Sequence, residues 1–427
     1  MSLYGTLNTA VSGMAAQANM LGTIGDNIAN SNTVGYKGAS VQFETLLGNT
    51  SATNYESGGV QSRVRYGIAD QGNIIGTSSV TNLAVSGDGF FVVQSPSGSP
   101  VLTRAGDFVP DGSGNLVNAA GYKLMAYNLT DGSQVSANGV GGLQVVNVAG
   151  NALSAAPSTA GTLSINVPSS DKISTALPSA NANPSVYSGK TSLVAYDSLG
   201  KAVNMDIYFA KSAANTWEVS AYDNATADPT THGFPYATNA TSTSPVPLVA
   251  AQTLTFDPDT GKLASGNPLT MTIPNSAGGA STTLTLDVNK MSQLATGFTI
   301  NTATVDGSSP STLDHIAISK DGTITSIYKN GIQKSTYQIP LATVTSPDEL
   351  TPLAGNVYEQ SLSSGDMVIG KATTGPFGAI DSSSLEQSTV DIATQLTNMI
   401  TAQRGYEANS KVIQTSSDLL SVITNLK

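Results

Sequence analysis

No cysteine occurs anywhere in the 427 residues. Disulfides, thiolate metal sites and cysteine nucleophiles are thereby excluded, and an exported chain without thiols cannot mispair them in transit. Histidine is nearly as scarce, with only His232 and His315. Such a set does not make a zinc site, so no metal or other cofactor is expected. No Gly-x-Ser-x-Gly elbow or phosphate-binding loop is present either, and the chain is read as a non-enzyme. Charge is sparse: only 11% of residues are charged, against about 25% in typical soluble domains. The 29 acidic and 18 basic residues give a formal charge of −11. No basic run offsets that balance, so neither nucleic acid nor anionic lipid is an expected partner. No apolar run of about 18 residues exists, so no membrane insertion is expected. The first 36 residues contain one charged residue, Asp26, and no Lys or Arg. A positive leader region is therefore missing, and export is expected to proceed without a cleaved signal peptide.

What the chain does have is a matched pair of ends. Leu7, Met14, Leu21 and Ile28 recur every seven residues, and so do Leu385, Ile392, Met399, Tyr406, Ile413 and Leu420, with Leu396 widening the second stripe. A seven-residue apolar repeat places a seam along one helix face and favours supercoiling with a partner helix. Ser383 followed by Glu386 reads as a capping box that starts the second helix. Both seams are weak, because Gln17, Thr389, Gln403, Ser410 and Ser417 stand where Leu or Ile would strengthen them. Helices with so little apolar surface need tertiary or quaternary support. The expectation is that both helices pack against those of neighbouring copies and are unstructured in a monomer, leaving a protease-resistant core of roughly 70–365.

Between the ends the apolar period drops to two. Leu163–Val167, Val203–Ile207, Trp217–Val219, Thr253–Phe256, Leu269–Ile273 and Thr283–Val288 alternate apolar with polar residues. Asp111-Gly112, Asp197 to Gly200, Asp257 to Gly261, Asp321-Gly322 and Asn330-Gly331 punctuate them as turns. Asp111, Ser113 and Asn115 imitate the start of a calcium loop without the rest of one, and a hairpin turn explains them. Residues 148–185 read as a connection and 222–250 as a long surface loop. The fold class is mainly β with α-helical termini: nested β-domains on a base of paired coiled-coil helices.

The motifs carry a resemblance. Asn27-Ile-Ala-Asn30, then Thr33, Gly35, Tyr36 and Lys37, resembles the signature after the first helix of bacterial flagellar axial proteins, the rod and hook family. Leu385 to Asp391, Met399, Gln403-Arg404, Tyr406 and Ala408-Asn409 resemble that family's closing helix. Ser86 to Val92, Thr103 to Phe108, Asn115 to Asn118 and Gly121-Tyr122 are similar to its first β-domain. Residues 148–295 are extra mass beyond the shorter rod members. Within them, Val194 to Gly200 with Ile207-Tyr-Phe209 resembles the outer domain of the hook members.

The resemblance implies a layered chain. Residues 1–34 and 381–427 form the terminal-helix domain, 35–73 and 362–380 a connecting segment, 74–147 and 296–361 an inner β-domain, and 148–295 an outer one. It implies a homopolymer, a hollow, curved and flexible tube outside the cell. Its partners would be distal rod, hook cap and hook–filament junction proteins, and the flagellar type III export apparatus. Gly35, Gly38 and Gly48 are expected to form a hinge. Two alternatives remain at this point: a distal-rod or junction member of the family, and a secreted β-sandwich adhesin.

Overall fold

The structure, a computed structural model, describes residues 3–47, 57–130, 141–149, 153–237, 247–275 and 280–425. It is mainly β, and its two long helices are α1, Leu3–Ala29, and α2, Ile392–Asn425. The chain divides into two compact units. The first comprises Met1–Asn151, Asp314–Ile327 and Gln333–Lys427, and the second, Ala152–Leu313 and Tyr328–Ile332, is inserted within it.

In the first unit, the strand Phe90–Gln94 pairs antiparallel with Pro100–Thr103, Lys123–Asn128 and Pro340–Thr343. Its run Phe90-Phe91-Val92-Val93 is apolar without alternation because both faces are covered. Phe91 and Val93 join Leu83, Phe108, Leu124, Ile339 and Leu341 on one side. Phe90 and Val92 join Ile68, Leu102, Tyr127 and Tyr358 on the other. Below this β part, Ala39–Leu47 and Ser57–Tyr66 form an antiparallel hairpin laid along α1. The hairpin is held there by Asn19 Nδ2 donating to Ser62 Oγ at 2.8 Å and Val60 N donating to Ser12 Oγ at 3.1 Å.

The second unit has two five-stranded sheets around one core. Gly189–Tyr196, Ala202–Ala213, Thr216–Asp223, Val249–Phe256 and Leu263–Ser265 form an antiparallel meander. The other sheet is built on Ala160–Pro168, which pairs parallel with Thr282–Asp287 and Ser292–Leu294. Trp217 is fully buried in the core, and its indole nitrogen donates to Gln293 Oε1 at 2.9 Å.

Each strand expected from the alternation coincides with an observed one, although the strand Thr282–Asp287 ends one residue before the expected Val288. Three local readings change. Thr299–Val305 belongs to the inserted unit rather than to the inner β-domain, because it pairs with Ala160–Pro168. The stretch 148–185 is not only a connection, since Ala160–Pro168 is a core strand. The stretch 222–250 is not wholly a surface loop: Phe234 and Tyr236 are buried against Tyr208 and Tyr222, while 238–246 lie outside the described residues.

Candidate functional site: the terminal helices and their junction

α2 does not begin where the capping-box pattern places it. Asp391 caps it, accepting from Thr394 N at 2.7 Å, and these backbone N–H groups hold its carboxyl below the usual range. Ser383 instead has a left-handed φ of 53°. Ser384–Glu386 is a short strand paired with Ile74–Gly76, in which Leu385 faces Ile75 across the register. Leu385 is therefore not a helix-seam residue. The physical reason is Glu386, whose carboxylate is drawn into a buried ion cluster that an exposed helical turn would not reach.

The two helices run antiparallel: Asn27 Nδ2 donates to Gln395 Oε1 at 3.3 Å near one end, and Gly13 meets Asn409 further along. Ala10, Ala16, Ile24 and Asn27 of α1 are buried, as are Ala402 and Ser416 of α2. Leu7, Met14, Leu21 and Ile28 flank this seam half-buried, as do Met399, Ile413 and Leu420. The larger apolar side chains of α2 face away. Ile392 and Leu396 are each 46% exposed and Ile400 53%, and Tyr406, Val412, Leu419 and Val422 are exposed too. Gln403 and Arg404 are likewise exposed. On α1, Tyr4 and Val11 stand bare, and a β-carbon at Gly22 or Gly25 would meet no atom within 4 Å. Each helix thus keeps a small, polar face for its own partner and leaves a second face uncovered.

The signature after α1 builds a junction between helices and β part. The Asn27 side chain substitutes for a neighbouring strand: its Oδ1 accepts from Ala39 N at 3.0 Å and its Nδ2 donates to Ala39 O at 2.7 Å. Tyr36 donates to Asn27 Oδ1 at 3.3 Å. Asn30 and Thr33 close the turn that ends α1, with Thr33 Oγ1 donating to Asn30 Oδ1 at 3.1 Å. Gly35 is not a hinge. It is buried at φ 64°, and a β-carbon there would sit 2.6 Å from Ala105 N. Gly72 is as tight, its hypothetical β-carbon 2.1 Å from Gln387 O. Of the other two expected hinge glycines, Gly38 is packed, a β-carbon there lying 3.4 Å from the Val390 side chain, and Gly48 lies outside the described residues.

At the centre Lys37 and Arg104 converge on Glu386. Lys37 Nζ lies 2.6 Å from Oε1 and Arg104 Nη1 3.2 Å from Oε2, all three side chains buried. Gly72 N also donates to Oε1, at 2.8 Å. Burial pushes the Lys37 ammonium below its usual range, and Glu386 opposes that shift. The sequence pattern pointed to Lys37 and missed Arg104, Glu386 and Thr389, whose Oγ1 accepts from Gly38 N at 2.9 Å. A rare arginine opening the Arg-Ala-Gly turn was the one available signal.

Among the described residues no group of His, Asp and Glu is placed to hold a metal ion. His315 Nδ1 lies 2.9 Å from Asp314 at an exposed site, and His232 is exposed in its loop. A β-rich chain whose two ends pair as helices and leave apolar rows bare has the form of an axial-type structural subunit.

The comparisons with known proteins narrow that class. The family model described as "Flagella basal body rod protein" matches residues 7–37, and "Flagellar basal body rod FlgEFG protein C-terminal" matches 381–426. "Flagellar hook protein FlgE/F/G D1 domain" matches 84–176 and "Flagellar basal body protein FlaE D2 domain" matches 166–308. The chain is 45% identical over 429 residues to the flagellar hook protein FlgE of Brucella suis, covering 100% of both. Against that of Rhizobium meliloti it is 43% identical over 431 residues, again covering 100% of both. Against that of Escherichia coli it is 31% identical over 422 residues, covering 98% of this chain and 99% of the other. The chain belongs to the flagellar hook protein family.

Proposed function

We propose that this chain polymerises with copies of itself, through its terminal helices, into a hollow, curved tube that acts as a universal joint between rotary motor and filament. The observation that carries this reading is the division of labour on α2. Ala402 and Ser416 are buried and Gly405 lies against Gln17 of α1, while Ile392, Leu396 and Ile400 are exposed. Within one chain those side chains stay about half exposed. Against a neighbour each would remove apolar surface worth roughly 1.5–3 kcal/mol when fully buried, and the contact repeats along every row of the polymer.

A rotating joint must bend as it turns, so spacings between neighbours change in each revolution. Surfaces rich in Ser, Thr and Asn suit that demand, because their hydrogen bonds exchange with water at little cost. The subunit is read as exported through the flagellar type III apparatus without a cleaved signal peptide and assembled outside the cell. Its neighbours there would be the distal rod, the hook cap and the hook–filament junction proteins. Electron microscopy of purified protein left to polymerise tests the reading. Hollow tubes of this chain alone are the expected outcome, and a persistent monomer at high concentration would count against it.

A further inference from the structure

The junction sets two buried cations against one anion. The side chains of Lys37, Arg104 and Glu386 are 1%, 3% and 0% exposed. Their other acceptors are neutral carbonyls: Asp70 O for Lys37, and Val85 O and Gly87 O for Arg104. Arg104 Nε finds no acceptor among the described residues. The Asp70 carboxylate acts on Lys37 from an exposed position. Burial pushes the nearby Tyr36 and Tyr358 hydroxyls up from their usual range, so neither supplies a negative charge.

The order of these groups along the chain matters. Both cations lie near the N-terminus, whereas Glu386 comes 349 residues after Lys37 and 282 after Arg104. Until the C-terminal segment arrives, Lys37 and Arg104 have no buried counter-ion and cannot both be buried.

We propose that Glu386 is the sole buried counter-ion of a charge latch, which docks the C-terminal segment and closes the helical base last, and that Lys37 is its surplus cation. This rests on the junction alone, not on the polymer reading. The latch weakens with the number of unpaired charges left behind, not with the number of bonds broken. Glu386→Gln leaves two buried cations unpaired. Lys37→Met breaks the 2.6 Å contact yet leaves Arg104 and Glu386 matched one to one. Adding Lys37→Met to Glu386→Gln lowers the unpaired count from two to one, so the second substitution rescues the first.

Amide hydrogen exchange on the full-length chain in dilute solution tests this. The readout is Gly35 N and Gln387 N, which donate across the junction to Glu386 O and Asn73 O at 2.8 Å each. Amides of the inserted unit serve as the folding control. Glu386→Gln is expected to lose about a hundredfold or more of protection there, Lys37→Met tenfold or less, and the double variant to lie between. If Glu386→Gln fails to fold at all, the double variant must regain the fold. Two results overturn the latch: Lys37→Met as damaging as Glu386→Gln, or a double variant worse than Glu386→Gln alone.

Discussion

Gln17 of α1 lies against the bare backbone of Gly405 on α2, so close that a β-carbon on Gly405 would sit 3.0 Å from the Gln17 side chain. Glycine inside a helix costs roughly 0.5–1 kcal/mol relative to alanine, so its place here reflects close approach rather than helix preference. Gly13 against Asn409 repeats the arrangement. The intramolecular seam is therefore narrow, and its buried side chains are mostly Ala and Ser. Closing it removes little apolar surface to offset the ordering of two long helices.

The first prediction concerns the dilute monomer. Its helices should fray, but the junction should not, because its ions and glycine contacts are buried. Limited proteolysis should trim α1 and α2 and stop near residues 35 and 390. That is a larger core than the 70–365 suggested by seam strength alone. A core ending at 70 and 365 would show that the junction opens with the helices. Long-lived protection of both ends in a proven monomer would show that the seam suffices by itself.

Gly22 lies on an exposed part of α1. A β-carbon there meets nothing within 4 Å, so Gly22→Leu should leave the monomer undisturbed and raise helix propensity by several tenths of a kcal/mol up to about 1. In the polymer the same leucine would stand on the face left for a neighbour. Thermal unfolding of the β units should be unchanged while tube formation, followed by light scattering and electron microscopy, falls sharply. Normal tubes from this variant would place the neighbour elsewhere.

How legible was this in the sequence? The seven-residue repeats marked both helices, with Leu385 the one member that falls in a strand before α2, since local apolar spacing fixes which residues share a stripe. They did not say which stripe faces the chain's own partner, because Ala402 and Ser416 carry no apolar signal although they are buried. The capping-box reading failed at Glu386 for a related reason. Ser-x-x-Glu is a local pattern, while a partner 349 residues away decides where that carboxylate goes. Phe234 and Tyr236 were hidden in a Thr- and Pro-rich stretch, where composition suggested solvent. Alternating strands and Asp-Gly turns read well because their cause lies within a few residues.

The inserted unit carries a pH signature. Asp206 is fully buried, and burial raises its pKa. Hydrogen bonds from Asn224, Ser192, Lys190 and Tyr236 outweigh that and hold it below the usual range. A depressed folded pKa adds stability that is present above the unfolded value near 4 and lost as pH falls through the folded one. Asp206→Asn should lower the melting temperature at pH 7, by the equivalent of about 2 kcal/mol once the partial exposure of Lys190 is discounted. It should also flatten the decline below about pH 4 relative to wild type. Equal slopes for the two proteins would mean that Asp206 is not a source of the acid sensitivity.

Leu396→Asp puts the uncovered row itself to the test. Leu396 stands one turn after Ile392 and one before Ile400, and all three are exposed in the single chain. Aspartate there removes no contact with α1, so the monomer should keep its β-unit melting temperature. In the polymer the same carboxylate would lose apolar burial of roughly 1.5–3 kcal/mol and add the cost of desolvating a charge. The penalty recurs in every subunit, so assembly should be abolished rather than slowed. Thr394→Asp, on a different face and in the first turn, where a negative charge suits the helix dipole, is the control and should polymerise nearly normally. Normal tubes from Leu396→Asp would show that the apolar row is solvent-facing in the assembly as well. A lowered melting temperature of its β-units would show that the row already packs within one chain.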